Sequence, residues 1–117
     1  MLRPPSITQI FVCLQPVDLR RGFDGLAGIV GDALQQNPTS GALYVFRNRR
    51  ADRIKLLHWD RDGYVIWYKR LEKGTFQWPS LGSDSIAMTV SSTELIMILD
   101  GIELSSVRKR PRYQRSA

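Results

Sequence analysis

Four arginines, Arg47, Arg49, Arg50 and Arg53, fall within seven residues near the middle of the chain, and Lys55 follows them. Guanidinium groups at this density can bridge phosphate oxygens in bidentate fashion. Each such contact adds affinity that ignores base sequence and is weakened by salt. Arg20-Arg21 forms a second basic element. A third closes the chain, where Arg108, Lys109, Arg110, Arg112 and Arg115 lie among ten residues that hold no acid. The candidate nucleic-acid contacts are therefore Arg47, Arg49, Arg50, Arg53, Lys55, Arg20, Arg21, Arg108, Lys109, Arg110 and Arg112. The alternative for the central cluster is a solvated turn whose arginines pair with Asp52 and nearby acids. The alternative for the terminal cluster is a solubilising tail.

The distribution of charge carries more information than its total. The chain has a net charge of +6 and a pI near 10.0. The last ten residues supply +5 of this; residues 1–107 hold twelve basic residues against eleven acids, which leaves +1. A nearly neutral body with clustered arginines makes clustering, not bulk charge, the signal for a partner.

Residue patterns for catalysis are weaker. Asp60 and Asp62 would share one side of an extended strand and suggest a metal-dependent nuclease, the remote alternative. They fall in Asp60-Arg61-Asp62-Gly63, however, where Asp and Gly are expected for backbone reasons. Asp24, Glu72 and Glu94 are scattered and supply no third ligand at a useful spacing. Cys13 and His58 are each the single residue of their type, so no Cys/His zinc pattern exists. Cys13 sits in the apolar run Ile10-Phe11-Val12-Cys13-Leu14 and reads as a small buried hydrophobe. His58 reads as a sheet residue, and Ser91-Ser92 as helix caps. No catalytic residue, metal or cofactor is expected.

These groups need elements to position them. At 117 residues the chain fits one domain, able to bury a core without disulfides or metal. No apolar run is long enough to span a bilayer, and no signal-peptide pattern opens the chain, so a cytoplasmic location is expected. After Pro4-Pro5, Ile7 to Leu14 reads as a strand ended by Pro16. Asp18 is a candidate helix N-cap. Phe23, Leu26, Ala27, Val30 and Leu34 recur at helical spacing after Gly22, and Asn37-Pro38 closes that helix. Gly25, Gly28 and Gly31 weaken it, each by roughly 1 kcal/mol relative to alanine. They lie near one face and would admit close approach of a strand or a partner backbone. No Lys-Ser/Thr pair follows them, which argues against a phosphate-binding turn.

Strands follow at Ala42–Phe46, Ile54–Trp59 and Tyr64–Leu71, with a short one at Thr75–Trp78 stopped by Pro79. Their short connections predict an antiparallel meander, and no βαβ spacing is evident. Ile86 to Val90 is extended. Ser91 and Glu94 then form a capping box ahead of the stripe Leu95, Ile98, Leu99 and Ile102, with Gly101 near the helix end. Tyr44 and Phe46 share one strand face; Tyr64 and Tyr68 share one, with Trp67 opposite. These rings read as core beneath the helices sooner than as an exposed row for stacking bases. The expected fold is α+β: an antiparallel meander of about four or five strands packed by two helices. Residues 1–107 form a single domain, and 108–117 form a basic, flexible tail.

Several ordered runs carry a resemblance. They are Asp18-Leu19-Arg20-Arg21-Gly22-Phe23-Asp24-Gly25-Leu26, the stretch from Leu43 to Lys55, and Trp59-Asp60-Arg61-Asp62-Gly63. The stretch Lys69 to Pro79 and Leu99-Asp100-Gly101-Ile102 complete the pattern, which spans roughly Pro5 to Ile102. The chain resembles the TnpB accessory proteins, products of the second open reading frame, of the IS66 class of bacterial insertion sequences. The resemblance implies a role in transposition beside a separate, larger transposase that carries the acidic catalytic residues. Expected partners are DNA at the transposon ends, that transposase, the element's other accessory protein and a second copy of the chain. DNA contact is inferred from the charge pattern and is not supplied by the resemblance. A scaffold for the transposase without DNA contact is the alternative.

Overall fold

The structure, a computed structural model, describes residues 7, 9–79 and 84–101. The apolar runs with period-two side chains form strands β1 (Ile10–Cys13), β2 (Leu43–Arg47), β3 (Arg53–Asp60), β4 (Gly63–Arg70) and β5 (Ala87–Val90). They make one five-stranded sheet in the order β4-β3-β2-β1-β5. Helices α1 (Phe23–Asp32) and α2 (Ser92–Asp100) complete the α+β fold.

The sheet is mixed, which corrects the wholly antiparallel expectation. β2, β3 and β4 do form a meander, with Leu43 opposite His58 and Lys55 opposite Tyr68. β1, however, runs parallel to β2, with Ile10 opposite Leu43, so β1-α1-β2 is a βαβ unit after all. The short turns after β2 specify antiparallel neighbours, but the β1–β2 connection holds a helix and is long enough for the crossover that parallel strands need. β5 returns antiparallel to β1, with Val12 opposite Met88.

Alternate residues of the central strands feed two cores. On one face Cys13, Tyr44, Phe46 and Leu57 pack with Leu26 and Val30 of α1. On the other, Val12, Leu43, Val45 and Leu56 pack with Leu95 and Ile98 of α2. A strand buried on both faces needs apolar residues at every position, which explains the unbroken run in β2. Tyr44 and Phe46 are fully buried, so these rings are core; Tyr64 and Tyr68 lie on the α1 side of β4 and Trp67 on the other. Cys13 is buried, and that burial pushes its thiol pKa up.

Local signals are met unevenly. The Ser91–Glu94 capping box forms: the Glu94 N–H donates to Ser91 Oγ at 3.1 Å, and the Ser91 N–H donates to Glu94 Oε1 at 2.9 Å. Gly101 ends α2 at φ 76°, in the left-handed region that favours glycine. Asp18 is not the cap of α1. Gly22 takes that position, and Asp18 instead accepts the Arg20 N–H at 3.0 Å. α1 ends at Asp32, ahead of Asn37-Pro38, and Gln35 follows at φ 54°. Gly28 and Gly31 face open space, so close approach of another backbone is not their role within this fold.

Thr75–Trp78 is not a strand. Phe76 is buried and its N–H donates to the Ala51 carbonyl at 2.7 Å, while Trp78 Nε1 donates to the Cys13 carbonyl at 2.9 Å. The alternation of Phe76 and Trp78 therefore reflects packing on the α2 side of the sheet, not strand pairing. Ile102 and the terminal basic residues lie outside the described residues. Among the described residues, no helix is long and apolar enough to cross a membrane.

Candidate nucleic-acid interface

The β2–β3 connection is held rigidly by short polar contacts. Asn48 braces it: its Nδ2 donates to Asp52 Oδ1 at 2.6 Å, and its Oδ1 accepts the N–H groups of Asp52 and Arg53 at 3.1 and 3.0 Å. The Ala51 N–H donates to the Asn48 carbonyl at 3.1 Å, and Ala51 sits at φ 57°. The Asp52 carbonyl accepts the Leu71 N–H at 2.8 Å, which ties the loop to the end of β4. Arg49 and Arg50 project from this frame and are exposed.

Arg47 differs from its neighbours. It is partly buried, its guanidinium lies 5.8 Å from the Trp78 ring centre, and it donates to the Leu14 carbonyl at 3.3 Å. It also donates to the Asn48 and Arg49 carbonyls at 3.3 and 3.4 Å, while its Nε is buried without a partner. Burial lowers its pKa from the usual arginine range. Arg47 thus underpins the loop, and its geometry is that of a strut.

The structure brings Arg20, Arg50, Arg53 and Lys55 around one open groove of about 610 Å³, with Asp18, Asn48, Asp52 and Tyr68. The groove is formed by three segments distant in sequence: the β1–α1 connection, the β2–β3 loop with the start of β3, and β4. Lys55 Nζ donates to the Arg21 carbonyl at 2.9 Å and lies 4.8 Å from the Tyr68 ring centre. Arg53 donates to the Tyr68 hydroxyl at 3.0 Å. Tyr68 therefore orients two cations at once, one by a cation–π contact and one by a hydrogen bond.

Both carboxylates of the groove already have partners. Arg20 grips Asp18 through Nε and an Nη atom, the shortest contact being 2.7 Å, and these bonds hold the Asp18 carboxyl at a pKa of about 2. Asp52 is engaged by Asn48. Ion pairs among the described residues are Arg20–Asp18 and Arg70–Glu72, so Arg49, Arg50, Arg53 and Lys55 are not neutralised by carboxylates there. The solvated-turn alternative expected Asp52 to pair with these arginines, and Asn48 takes that place instead. Four cations against two acids leave the groove at +2, concentrated on a body whose net charge is near zero.

Arg21 sits beside the groove and contributes its carbonyl; Arg49 stands on the loop outside the lining residues. Arg108, Lys109, Arg110 and Arg112 lie outside the described residues. Asn48 and Tyr68 were not legible as site residues. Asn48 acts through backbone geometry, and Tyr68 was read with the other sheet aromatics. Asp60 and Asp62 occupy the β3–β4 turn, where the Asp62 N–H donates to the Asp60 carbonyl at 2.6 Å. Among the described residues, no three His, Cys, Asp or Glu side chains converge as a metal site.

Fold and site together define a small mixed-sheet domain with a rigid basic groove. The chain belongs to the IS66 Orf2-like family, which matches residues 8–109, and so to the accessory proteins of insertion-sequence transposition. Two relatives come from Sinorhizobium fredii. Uncharacterized protein y4jC is 36% identical over 111 residues, covering 95% of this chain and 93% of its own. Uncharacterized protein y4hO is 35% identical over 103 residues, 88% of each chain. No solved structure matches.

Proposed function

We propose that the chain is a non-catalytic accessory factor that binds DNA of its insertion sequence during transposition, through the groove between the β2–β3 loop and β4. One observation carries this reading: Arg50, Arg53 and Lys55 converge on one open groove with no carboxylate holding them. Phosphates are the anions that such a groove, wide and walled by oriented donors, accommodates best. Arg47 and Asn48 serve by fixing the loop, and Tyr68 by setting the directions of Arg53 and Lys55.

The test is binding to a duplex carrying the element's terminal sequence, followed by fluorescence anisotropy across a salt series. Replacing Arg50, Arg53 and Lys55 with Ala should lower the slope of log affinity against log salt by about 0.9 for each phosphate that is no longer neutralised. Unchanged affinity and slope would sink the groove as a DNA site. A scaffold that holds the transposase without touching DNA is the second reading, favoured by the near-neutral body. Capture of the transposase that survives nuclease and high salt supports it.

A further inference from the structure

β4 is an edge strand. It pairs with β3 and with no other described strand. Antiparallel pairing uses the backbone groups of alternate residues, so half of the N–H and C=O groups of β4 point away from β3. Such an edge invites another strand, and proteins usually blunt it with bulges, prolines or charges within the run. β4 has none of these in its middle: Tyr64-Val65-Ile66-Trp67-Tyr68 is uncharged, and its register with β3 runs unbroken from Arg70 to Gly63. Val65 and Trp67, on the α2 side, are 49% and 45% exposed, although they stand opposite the buried His58 and Leu56.

The ends of the strand are oppositely charged. Asp60-Arg61-Asp62, net −1, precedes it, and Lys69 and Arg70, the latter paired with Glu72, close it. A strand with an acidic start and a basic end is complementary to itself when turned around. We infer that β4 pairs antiparallel with β4 of a second copy of this chain, centred on Ile66. That register sets Val65 opposite Trp67, Tyr64 opposite Tyr68 and Asp62 opposite Arg70. A shift by two residues sets Val65 against Lys69 and leaves Trp67 against Trp67, or sets Trp67 against Gly63 and leaves Val65 against Val65, so the two Val65–Trp67 contacts fall to one apolar pair. Arg70 already holds Glu72 at 2.8 Å in an exposed pair, and a guanidinium has donors left for Asp62 of the other copy. Leu71 turns away to donate to the Asp52 carbonyl, which ends the pairing there.

The interface is isologous, with its twofold axis normal to the sheet. Both α1 faces then lie on one side of a continuous sheet. At about 3.4 Å per residue along a strand and about 4.8 Å between strands, the two Tyr68 residues stand about 14 Å apart. Two basic grooves therefore face the same way within reach of one nucleic acid.

The test is sedimentation equilibrium of the full chain over a micromolar concentration series. The expected species is a dimer of twice the 13.4 kDa chain mass. Asp62→Arg or Arg70→Asp alone places like charges opposite each other and should weaken dimerisation by about tenfold, the equivalent of about 1.4 kcal/mol. The double exchange of both residues should restore the dimer. Trp67→Lys, at an exposed position, should give a monomer with an unchanged circular-dichroism spectrum. A wild-type chain that stays monomeric throughout would overturn the inference and assign the edge to another protein. A dimer indifferent to Trp67→Lys and to both single reversals would overturn it too.

Discussion

At the scale of single residues, arginines adjacent in sequence do different work. Arg47 stands on the buried side of the β2–β3 loop and donates to three carbonyls, whereas Arg50 projects into the groove. Arg47→Ala removes its bonds to the Leu14, Asn48 and Arg49 carbonyls and its contact with the Trp78 ring. It should cost about 1–2 kcal/mol in urea denaturation, in the range for removal of a charged hydrogen-bonding group. Arg50→Ala should stay within about 0.5 kcal/mol of wild type, as exposed substitutions do. Equal losses at the two positions would contradict these assignments. Asp18 gives a second measurement. Its folded pKa of about 2 lies below the ordinary 3.8, chiefly because Arg20 donates to it. A depressed carboxylate pKa contributes stability that is present above 3.8 and lost as pH falls through about 2. In Arg20→Ala, the Asp18 titration followed by carboxyl-carbon NMR should move up toward 3.8, and this acid-limb contribution should shrink to what the backbone N–H of residue 20 still supplies. A midpoint that does not move would mean that Arg20 does not hold the carboxylate.

At the scale of elements, α1 is weaker than it needs to be. Gly28 lies inside the helix, and a Cβ there would meet nothing within 4 Å. Gly28→Ala should therefore raise the stability of the isolated protein by about 0.5–1 kcal/mol, read as a higher melting temperature, since alanine has less backbone entropy to lose. A fall in melting temperature would reveal a contact on that open face. The helices and four of the five strands were legible because their apolar residues recur at periods of 3.6 or 2, and the capping box of α2 because Ser91 and Glu94 bond to each other locally. Parallel pairing of β1 and β2 was not legible: a glycine-rich helix in a long connection does not announce which strand it returns to. Thr75–Trp78 misled because Phe76 and Trp78 alternate for packing reasons, and alternation alone does not distinguish a paired strand from an anchored one. The arginine cluster was plain in the sequence. Its groove was not, because Arg20, Lys55 and Tyr68 meet only through the sheet register and the β1–α1 connection.

At the scale of the whole molecule, the charge divides into two parts of the sequence. The body carries +1 and sets Arg50, Arg53 and Lys55 together in the groove, while the last ten residues carry +5 with no acid. Under the proposed function, these parts should contribute separably to DNA affinity. The tail cations act by number, so removing residues 108–117 should lower affinity for any DNA alike and reduce the salt slope by up to about 4.5, at about 0.9 per released counterion site. The groove cations act from fixed positions. Changing Arg50, Arg53 and Lys55 should reduce the slope by at most about 2.7 on the same scale, and should matter more for duplex than for flexible single strands. The two effects should add, because sites without shared partners behave independently. Anisotropy titrations of the full chain, the truncation, the triple variant and their combination, each on duplex and single-stranded DNA, decide the matter. If the truncation abolishes the salt dependence and the triple variant adds nothing, the groove holds no phosphate, and its oriented cations are left to a protein carboxylate such as one on the transposase. If the triple variant alone flattens the slope on duplex, phosphate recognition belongs to the fold and the tail only adds to it.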